Sequence, residues 1–172
     1  MELVVEFLTK ANFSPFGDVI ERDSGSCFET NNGEVLRHHD LAKVQVTASQ
    51  GRALISIFQV VKPAELPLNL RLIERHPISS QAFIPLIPTR FLVVVAPPTN
   101  SLAISDLRCF MAREGQGINL HVGVWHHPMI AFEKIDFLVI DRTANTNGFD
   151  QDYDEIHLEP RSIFVVNLPE ES

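Results

Sequence analysis

The sequence predicts an all-β, mainly antiparallel protein that forms one domain spanning residues 1–172. The chain has 172 residues, of which 45% are hydrophobic and 21% are charged, and this suits one globular domain with its own core. Eleven prolines and eight glycines separate short apolar segments. Hardly any stretch keeps the period of an amphipathic helix for more than about three turns. Many short strands joined by turns are typical of a β-sandwich or a β-barrel.

Nine apolar segments are predicted to be strands, because each is rich in Val, Ile, Phe or Leu and is bounded by Gly, Pro, Asn or Ser. In chain order they are Lys43–Val46, Ala53–Val60, Leu70–His76, Gln81–Ile84, Phe91–Ala96, Arg108–Ala112, Ile130–Phe132, Phe137–Asp141 and Ser162–Asn167.

Two glycine-containing segments predict tight turns. Gln50-Gly51 separates the first two predicted strands, and Gly115-Gln116-Gly117 lies farther along the chain. Glycine adopts positive φ without the steric cost of a Cβ atom, so both segments are expected to be hairpin turns.

Helix is predicted at only two places, and both are short connectors. Thr9 can cap a helical turn that runs through Phe13 and ends near Gly17. Residues Ser101–Leu107 could form one or two further turns after two prolines.

The segment Thr143–Glu159 is rich in Asn, Asp and Gly, and its carboxylates at Asp150, Asp152 and Asp154 stand two residues apart. A calcium-binding loop would have this spacing, but the glycine that such a loop needs next is missing. We therefore expect a solvated acidic loop.

The charge of the chain bears on its partners. Fourteen Lys and Arg against 22 Asp and Glu give a net charge of −8, so no bulk cationic surface is expected to hold nucleic acid or an anionic membrane. The most apolar window, Ala53–Val61, is less than half of the ~20 residues that a membrane-spanning helix needs. We expect a protein that binds neither nucleic acid nor membranes.

The compartment is predicted to be the cytoplasm. The first residues, Met1–Glu6, are acidic where a secretory signal is basic. Cys27 and Cys109 lie far apart with no Cys-x-x-Cys spacing, so they are expected to be reduced thiols rather than a disulfide or a zinc site.

The residues that could carry chemistry begin with a short strand end, Glu74-Arg75-His76-Pro77. Residues two apart in a strand project from the same face, so Glu74 and His76 are neighbours. They either line a polar cavity or form an exposed pair. Gln81 opens the next strand, which can return antiparallel and bring its amide close to both.

A second motif contains the single tryptophan, in Trp125-His126-His127-Pro128. Trp125 either lies on a rigid strand that leads into a pocket or only packs in the core. Glu-x-His, then Gln, then Trp-His resembles the two-motif pattern of the cupin superfamily, a small β-barrel that gathers metal ligands from two strand pairs. Cupins commonly have His-x-His and a Glu where this chain has Glu74-x-His76 and Gln81, so a metal site is one option among others.

Six longer blocks can be compared with known families: Asn31-Asn32-Gly33, Arg37-His38-His39-Asp40-Leu41-Ala42, Glu74-Arg75-His76-Pro77, Gln81-Ala82-Phe83-Ile84-Pro85, Gly117-Ile118-Asn119 and Val124-Trp125-His126-His127-Pro128. In this order they resemble the bacterial ureidoglycolate lyase family, also called ureidoglycolate hydrolase, and the resemblance runs from about Phe13 to Arg142. Two departures concern the detail of substrate binding, because the family has Tyr where this chain has His38 and Leu120.

The resemblance implies a homodimeric, cupin-like enzyme of allantoin (purine) degradation that splits (S)-ureidoglycolate, a small-molecule substrate, into glyoxylate and urea. It also implies a divalent metal, usually nickel. The predicted fold is then a cupin-like antiparallel barrel or jelly roll with one or two short helices.

Site residues follow from the motifs and from the chemistry that this reaction needs. One base must take a hydroxyl proton and one acid must protonate the departing nitrogen, and histidine serves in either role near neutral pH. The catalytic candidates, which are also the candidate metal ligands, are Glu74, His76 and His126. The candidates for binding the substrate are Arg37 and Arg75 for its carboxylate, together with Asn32, Gln81 and Trp125.

Two other functions remain open on the sequence. A cupin without catalysis could hold a small carboxylic acid as a regulatory or binding module, since Gln81 stands where a carboxylate ligand is common. A metal-dependent oxygenase is a weaker third hypothesis. The sequence leaves open which histidine is the base and which is a ligand.

Overall fold

The structure is a computed structural model that describes residues 1–22, 26–144, 152–160 and 162–169. It is built almost entirely from short strands, with one helix, α1 (Lys10–Phe13), and 3-10 turns at Asn31–Gly33, Ala48–Gln50 and Ile104–Asp106. The strands are β1 (Val5–Phe7), β2 (Gly17–Ile20), β3 (Cys27–Thr30), β4 (Val35–His38), β5 (Arg52–Gln59), β6 (Leu68–Asn69), β7 (Leu72–Arg75), β8 (Gln81–Pro85), β9 (Phe91–Ala96), β10 (Arg108–Ala112), β11 (Gly117–Leu120), β12 (Trp125–His126), β13 (Ile130–Ala131), β14 (Asp136–Thr143), β15 (Asp154–His157) and β16 (Phe164–Val165).

Two sheets make up most of the molecule. The first sheet has the order β1-β10-β9-β12-β7-β15, and β13 also pairs with β9. The second sheet has the order β2-β11-β8-β14-β5. The pairs are antiparallel except for β1 with β10. The predicted all-β class is confirmed, and the two sheets are consistent with a cupin-like fold.

The central core lies between the two sheets. Phe83 and Val139 reach it from the second sheet, and Val93 and Val95 reach it from β9 in the first. Every residue of β9 is buried, because Leu92 and its alternating neighbours pack into a second core on the other face of the first sheet. This alternation shows which side chains of the first sheet face the centre.

Several predicted elements are confirmed. Phe91–Ala96 and Arg108–Ala112 have the predicted bounds. Thr9 caps α1, because its hydroxyl accepts a hydrogen bond from the Asn12 backbone amide while the Asn12 side chain accepts one from the Thr9 amide. The second predicted helix is reduced to the 3-10 turn Ile104–Asp106.

The predicted strand Lys43–Val46 is wrong. This segment joins neither sheet as a strand, and side chains rather than a strand partner accept hydrogen bonds from its amides. Lys43 N donates to Asp18 Oδ2 at 3.1 Å, and Gln45 N donates to Ser80 Oγ at 2.7 Å. We call residues 41–46 the strap.

Both predicted hairpin turns are also wrong, because neither joins two paired strands. The backbone at Gln50-Gly51 ends a 3-10 turn whose carbonyls accept hydrogen bonds from the Arg142 guanidinium. Gly115 has the positive φ that was expected, but its turn leads from β10 in the first sheet to β11 in the second. A Cβ atom at Gly117 would lie 2.9 Å from Phe83 O, so there glycine permits close approach of two strands.

Where the structure describes it, the acidic segment is a strand rather than a loop, although most of the side chains of that strand are exposed to solvent as expected. Residues Asp154–His157 form β15, which pairs with β7 along its length. Asp152 is only 6% exposed, and its carboxylate accepts hydrogen bonds from Ile78 N and Ser79 Oγ. Asp150 lies outside the described residues. The segment therefore covers the strand that carries Glu74.

Among the described residues, no helix is long and apolar enough to cross a bilayer.

Candidate active site

Glu74, His76 and His126 converge at one end of the central core. Glu74 lies on β7 directly opposite His126 on β12, and His76 follows the end of β7. Ile73 packs into the outer core, so the two alternating positions after it face the centre. The predicted neighbours on β7 and the histidine of the second motif are thus brought together.

The three side chains are close enough to act on one small group. One ligand atom from each lies within 4.8 Å of the others. His126 Nε2 is 3.4 Å from Glu74 Oε1, and the ring centroids of His76 and His126 are 5.6 Å apart. The two motifs therefore form one cluster, which we call the Glu-His-His cluster.

Backbone carbonyls fix the tautomers of both histidines. His76 Nδ1 lies 2.8 Å from the carbonyl oxygen of Asp152, and His126 Nδ1 lies 3.1 Å from that of Val124. A carbonyl oxygen only accepts, so each Nδ1 must carry the donated proton. Both Nε2 atoms are buried and have no hydrogen-bond partner among the described residues. A proton or a metal cation among these atoms would therefore give both Nε2 atoms a partner.

Glu74 is held as a carboxylate. Burial by itself raises its pKa, but the contact with His126 Nε2 at 3.4 Å and the positive charge of His126 and His76 when they are protonated outweigh burial and keep the pKa below its ordinary value. Tyr153 adds to this, because its hydroxyl lies 3.2 Å from Glu74 Oε2.

Tyr153 is a neighbour of the cluster that sequence reasoning missed. Its hydroxyl is 2.7 Å from Glu155 Oε2, and this hydrogen bond is the main cause of the raised pKa of the phenol. The ring lies 6.1 Å from that of His76. Tyr153 is the single tyrosine of the chain and lies in the acidic segment that was expected to be solvated. Nothing in the local sequence therefore indicated that it lies beside the cluster.

The second sheet contributes Gln81 and Asp141. Gln81 begins β8 and is only 5% exposed. Ile140 pairs with Ala82, which places Asp141 opposite Gln81, and the two side chains are hydrogen-bonded. Burial raises the pKa of Asp141, and the hydrogen bond from Gln81 opposes that rise. Gln81 was predicted as a substrate ligand, whereas Asp141 was noted only as the end of a strand.

Arg75 and Trp125 face away from the cluster. Trp125 is 4% exposed, packs into the outer core and donates from Nε1 to Thr99 O at 2.9 Å. The Arg75 guanidinium lies 4.5 Å from the Trp125 ring centroid and bonds Asp154 at 2.8 Å. Adjacent side chains of a strand alternate, so the neighbours of Glu74 and His126 take the other face. The structure gives Trp125 the core packing that the sequence left as an alternative.

Arg37 and Asn32 lie in a separate two-stranded ribbon of β3 and β4. Arg37 is exposed, with its guanidinium 5.8 Å from the Phe28 ring centroid. Asn32 is exposed in the turn between the two strands, with a φ of 56°. Neither is brought to the Glu-His-His cluster within one chain.

His127 diverges from His126. Its Nδ1 lies 2.7 Å from Pro128 O, and its side chain lines a different cleft with Lys62 and Met129. Burial lowers the pKa of the His127 imidazole. Neighbouring histidines thus have separate surroundings, as strand alternation predicts.

Comparison with known proteins agrees with the motifs. The family model described as ureidoglycolate lyase matches residues 1–165. A ureidoglycolate lyase of Pseudomonas entomophila (strain L48) is 47% identical over 152 residues, which cover 88% of this chain and 90% of that protein. A ureidoglycolate lyase of Pseudomonas paraeruginosa (strain DSM 24068 / PA7) is 46% identical over 165 residues, covering 93% and 97%. One of Stutzerimonas stutzeri (strain A1501) is 48% identical over 150 residues, covering 87% and 88%.

The match spans nearly the whole chain and includes every residue of the Glu-His-His cluster. The chain belongs to the ureidoglycolate lyase family.

Proposed function

We propose that the protein cleaves (S)-ureidoglycolate to glyoxylate and urea in allantoin degradation. Family membership supports this, and so do the names of the relatives. The observation that carries the proposal is the Glu-His-His cluster, in which two fixed imidazoles direct unpartnered Nε2 atoms toward an ionised carboxylate.

The reaction needs two proton transfers. The central carbon of ureidoglycolate carries a hydroxyl group and a ureido nitrogen. When a base removes the hydroxyl proton, the electron pair forms the aldehyde carbonyl and the carbon–nitrogen bond breaks. The departing nitrogen takes a proton and leaves as urea. Atoms and charges balance with no further reactant.

The cluster offers both proton-transfer groups. His76 Nδ1 donates its proton to a backbone carbonyl, so Nε2 carries a free lone pair and can accept the hydroxyl proton. His126 Nε2 faces the Glu74 carboxylate at 3.4 Å, which stabilises a proton on that nitrogen for delivery to the leaving group. Fixed rings place both groups with little loss of freedom when substrate binds.

The same donor set fits a divalent metal ion. Two imidazole nitrogens and one carboxylate oxygen suit nickel or a related cation, and the buried, unpartnered Nε2 atoms are the ones that would hold it. When bound, the ion would polarise the substrate hydroxyl and lower its pKa. Glu74, His76 and His126 would then serve as ligands.

We propose further that the protein works in the cytoplasm as a homodimer of single-domain subunits. The outer face of the second sheet supports the dimer, because Ile55 and Ile57 on its edge strand β5 are 69% and 54% exposed. Apolar edges of this kind are commonly covered by a partner.

The test is release of urea and glyoxylate from racemic ureidoglycolate by the pure protein, before and after chelation. Turnover that stops at half of the racemate is expected. Tight binding with no turnover would favour the non-catalytic cupin instead, and oxygen uptake with added iron would favour an oxygenase. Loss of activity on chelation that returns with nickel would support the metal.

A further inference from the structure

Gln81 and Asp141 face the Glu-His-His cluster from the opposite sheet. Phe83 and Val139, two residues along from each, pack in the central core, so alternation directs both polar side chains to the centre. β7 ends at Arg75 and β8 begins at Gln81, so the short connection between these strands places Gln81, and Asp141 opposite it, at the end of the core where His76 lies.

The pair leaves two buried acceptors without a donor. The Gln81 side chain is hydrogen-bonded to the Asp141 carboxylate. Gln81 Oε1 and Asp141 Oδ1 are buried and have no hydrogen-bond partner among the described residues. Unpaired buried acceptors are costly, so such atoms in a native protein take a donor from solvent or from a bound ligand.

We propose that Gln81 Oε1 and Asp141 Oδ1 bind the N–H groups of the substrate's terminal carbamoyl amide. This rests on the proposed function, since ureidoglycolate carries that amide at one end and a carboxylate at the other. Two adjacent acceptors attract an NH₂ group, which has two donors, and repel a carboxylate. The pair therefore orients the substrate, with its ureido end toward the second sheet and its carbinol carbon toward His76 and His126.

Two stable analogues isolate this contact. Hydantoate (N-carbamoylglycine) keeps the terminal NH₂ but lacks the hydroxyl, so it cannot be cleaved. N-acetylglycine has the same skeleton with a methyl group in place of the NH₂. Calorimetric titration of the wild-type protein, as purified and with nickel added, is expected to give a Kd at least about tenfold lower for hydantoate, because N-acetylglycine leaves both acceptors unpaired.

Variants locate the preference. Asp141→Leu and Gln81→Leu have similar side-chain volumes without the acceptors, and each should reduce the preference for hydantoate to less than about threefold. Asp136→Leu makes the same exchange at the far end of β14 and should keep the full preference. Thermal melts identify any variant that does not fold, in which case the wild-type ratio alone decides.

Equal affinity of the wild-type protein for the two analogues would overturn the proposal. So would absence of hydantoate binding under both conditions, or a preference unchanged in both folded leucine variants. The turnover assay is independent: cleavage of ureidoglycolate without analogue preference refutes only the acceptor pair, whereas preference without cleavage refutes only the lyase activity.

Discussion

His126 is the residue on which the proposed chemistry depends most. It is 2% exposed, and its ring is held between the Val124 carbonyl and Glu74. A general acid or base contributes a factor of about 10²–10⁴, so His126→Ala should lower kcat/KM by at least about 10². Steady-state urea release measures this, and a cooperative melt shows that the fold survives.

His127→Ala is the matched control for that substitution. Its ring lies in another cleft and bonds Pro128 O, so kcat/KM should stay near that of the wild type. If His127→Ala abolishes turnover while His126→Ala does not, the Glu-His-His cluster is not the catalytic centre.

At the scale of elements, the segment that precedes and forms β15, which we call the covering segment, links the stability of the fold to the site through Asp152. The Asp152 carboxylate accepts hydrogen bonds from Ile78 N and Ser79 Oγ, and the Asp152 carbonyl oxygen accepts one from His76 Nδ1. Asp152→Ala leaves two donors unpaired and should lower the free energy of unfolding by about 2 kcal/mol or more. The alanine keeps the backbone carbonyl that binds His76 Nδ1, but without the hydrogen bonds of the carboxylate this carbonyl is held less firmly, so kcat/KM should fall as well.

Ser79→Ala provides a graded comparison for the Asp152 substitution. It removes one of the two hydrogen bonds to the carboxylate and leaves that from Ile78 N. Denaturant unfolding should place its stability between those of the wild type and Asp152→Ala. Equal stability of all three proteins would show that the covering segment does not support β7.

The stability that the strap gives to the fold should depend on pH, because Lys43 N of the strap donates a hydrogen bond to the Asp18 carboxylate. Burial raises the pKa of Asp18, but hydrogen bonds from Asn119, Lys43 N and His121 outweigh it and keep the pKa below 3.8. A carboxyl group whose pKa is lower in the folded state stabilises the fold above its unfolded pKa, and this stabilisation disappears as pH falls through the folded pKa. Asp18→Asn should therefore lower the melting temperature at pH 7, and the difference from wild type should shrink as the pH falls below the ordinary aspartate pKa of about 3.8.

Asp106→Asn is a control for the strap, because Asp106 is exposed in a 3-10 turn. It should leave the melting temperature unchanged across the same pH range. A constant difference between Asp18→Asn and the wild type down to pH 2 would mean that ionisation of Asp18 does not stabilise the strap.

Sequence patterns identified the strands that are made mostly of apolar residues. β9 and β10 were found because every residue of β9 is apolar and both faces are buried. β15 was missed because its residues Asp154–His157 are mostly polar, and only pairing with β7 makes it a strand. β2 and β11 begin with glycine and contain a polar residue, so neither matches the apolar pattern by which the other strands were predicted.

Some residues of the candidate site could likewise be predicted from local sequence, and others could not. Strand alternation on β7 was enough to place Glu74 and His76 together, and the pattern of the second motif added His126. Asp141 could not be assigned, since its contact with Gln81 depends on which strands are neighbours in the second sheet. Sheet order is set by long-range packing, which a single sequence does not encode locally.

At the scale of the whole molecule, the outer face of the second sheet should be the dimer interface. Ile55 and Ile57 on β5 pair with Ile140 and Leu138 on β14, which makes a continuous apolar surface. Burying such a surface in a two-fold contact removes apolar area from water and covers an edge strand. Light scattering of the wild-type protein at micromolar concentration and low salt should therefore give twice the chain mass.

Substitution decides whether this face carries the contact. Ile55→Lys with Ile57→Lys places two charges on the apolar surface and should give the monomer mass, because burying unpaired ammonium groups costs far more than the lost apolar contact. Val4→Lys adds one such charge away from this face, at a residue that is 80% exposed, and should leave the dimer intact. A dimer that survives the double substitution would place the interface on another face, and a monomeric wild-type protein would refute the dimer itself.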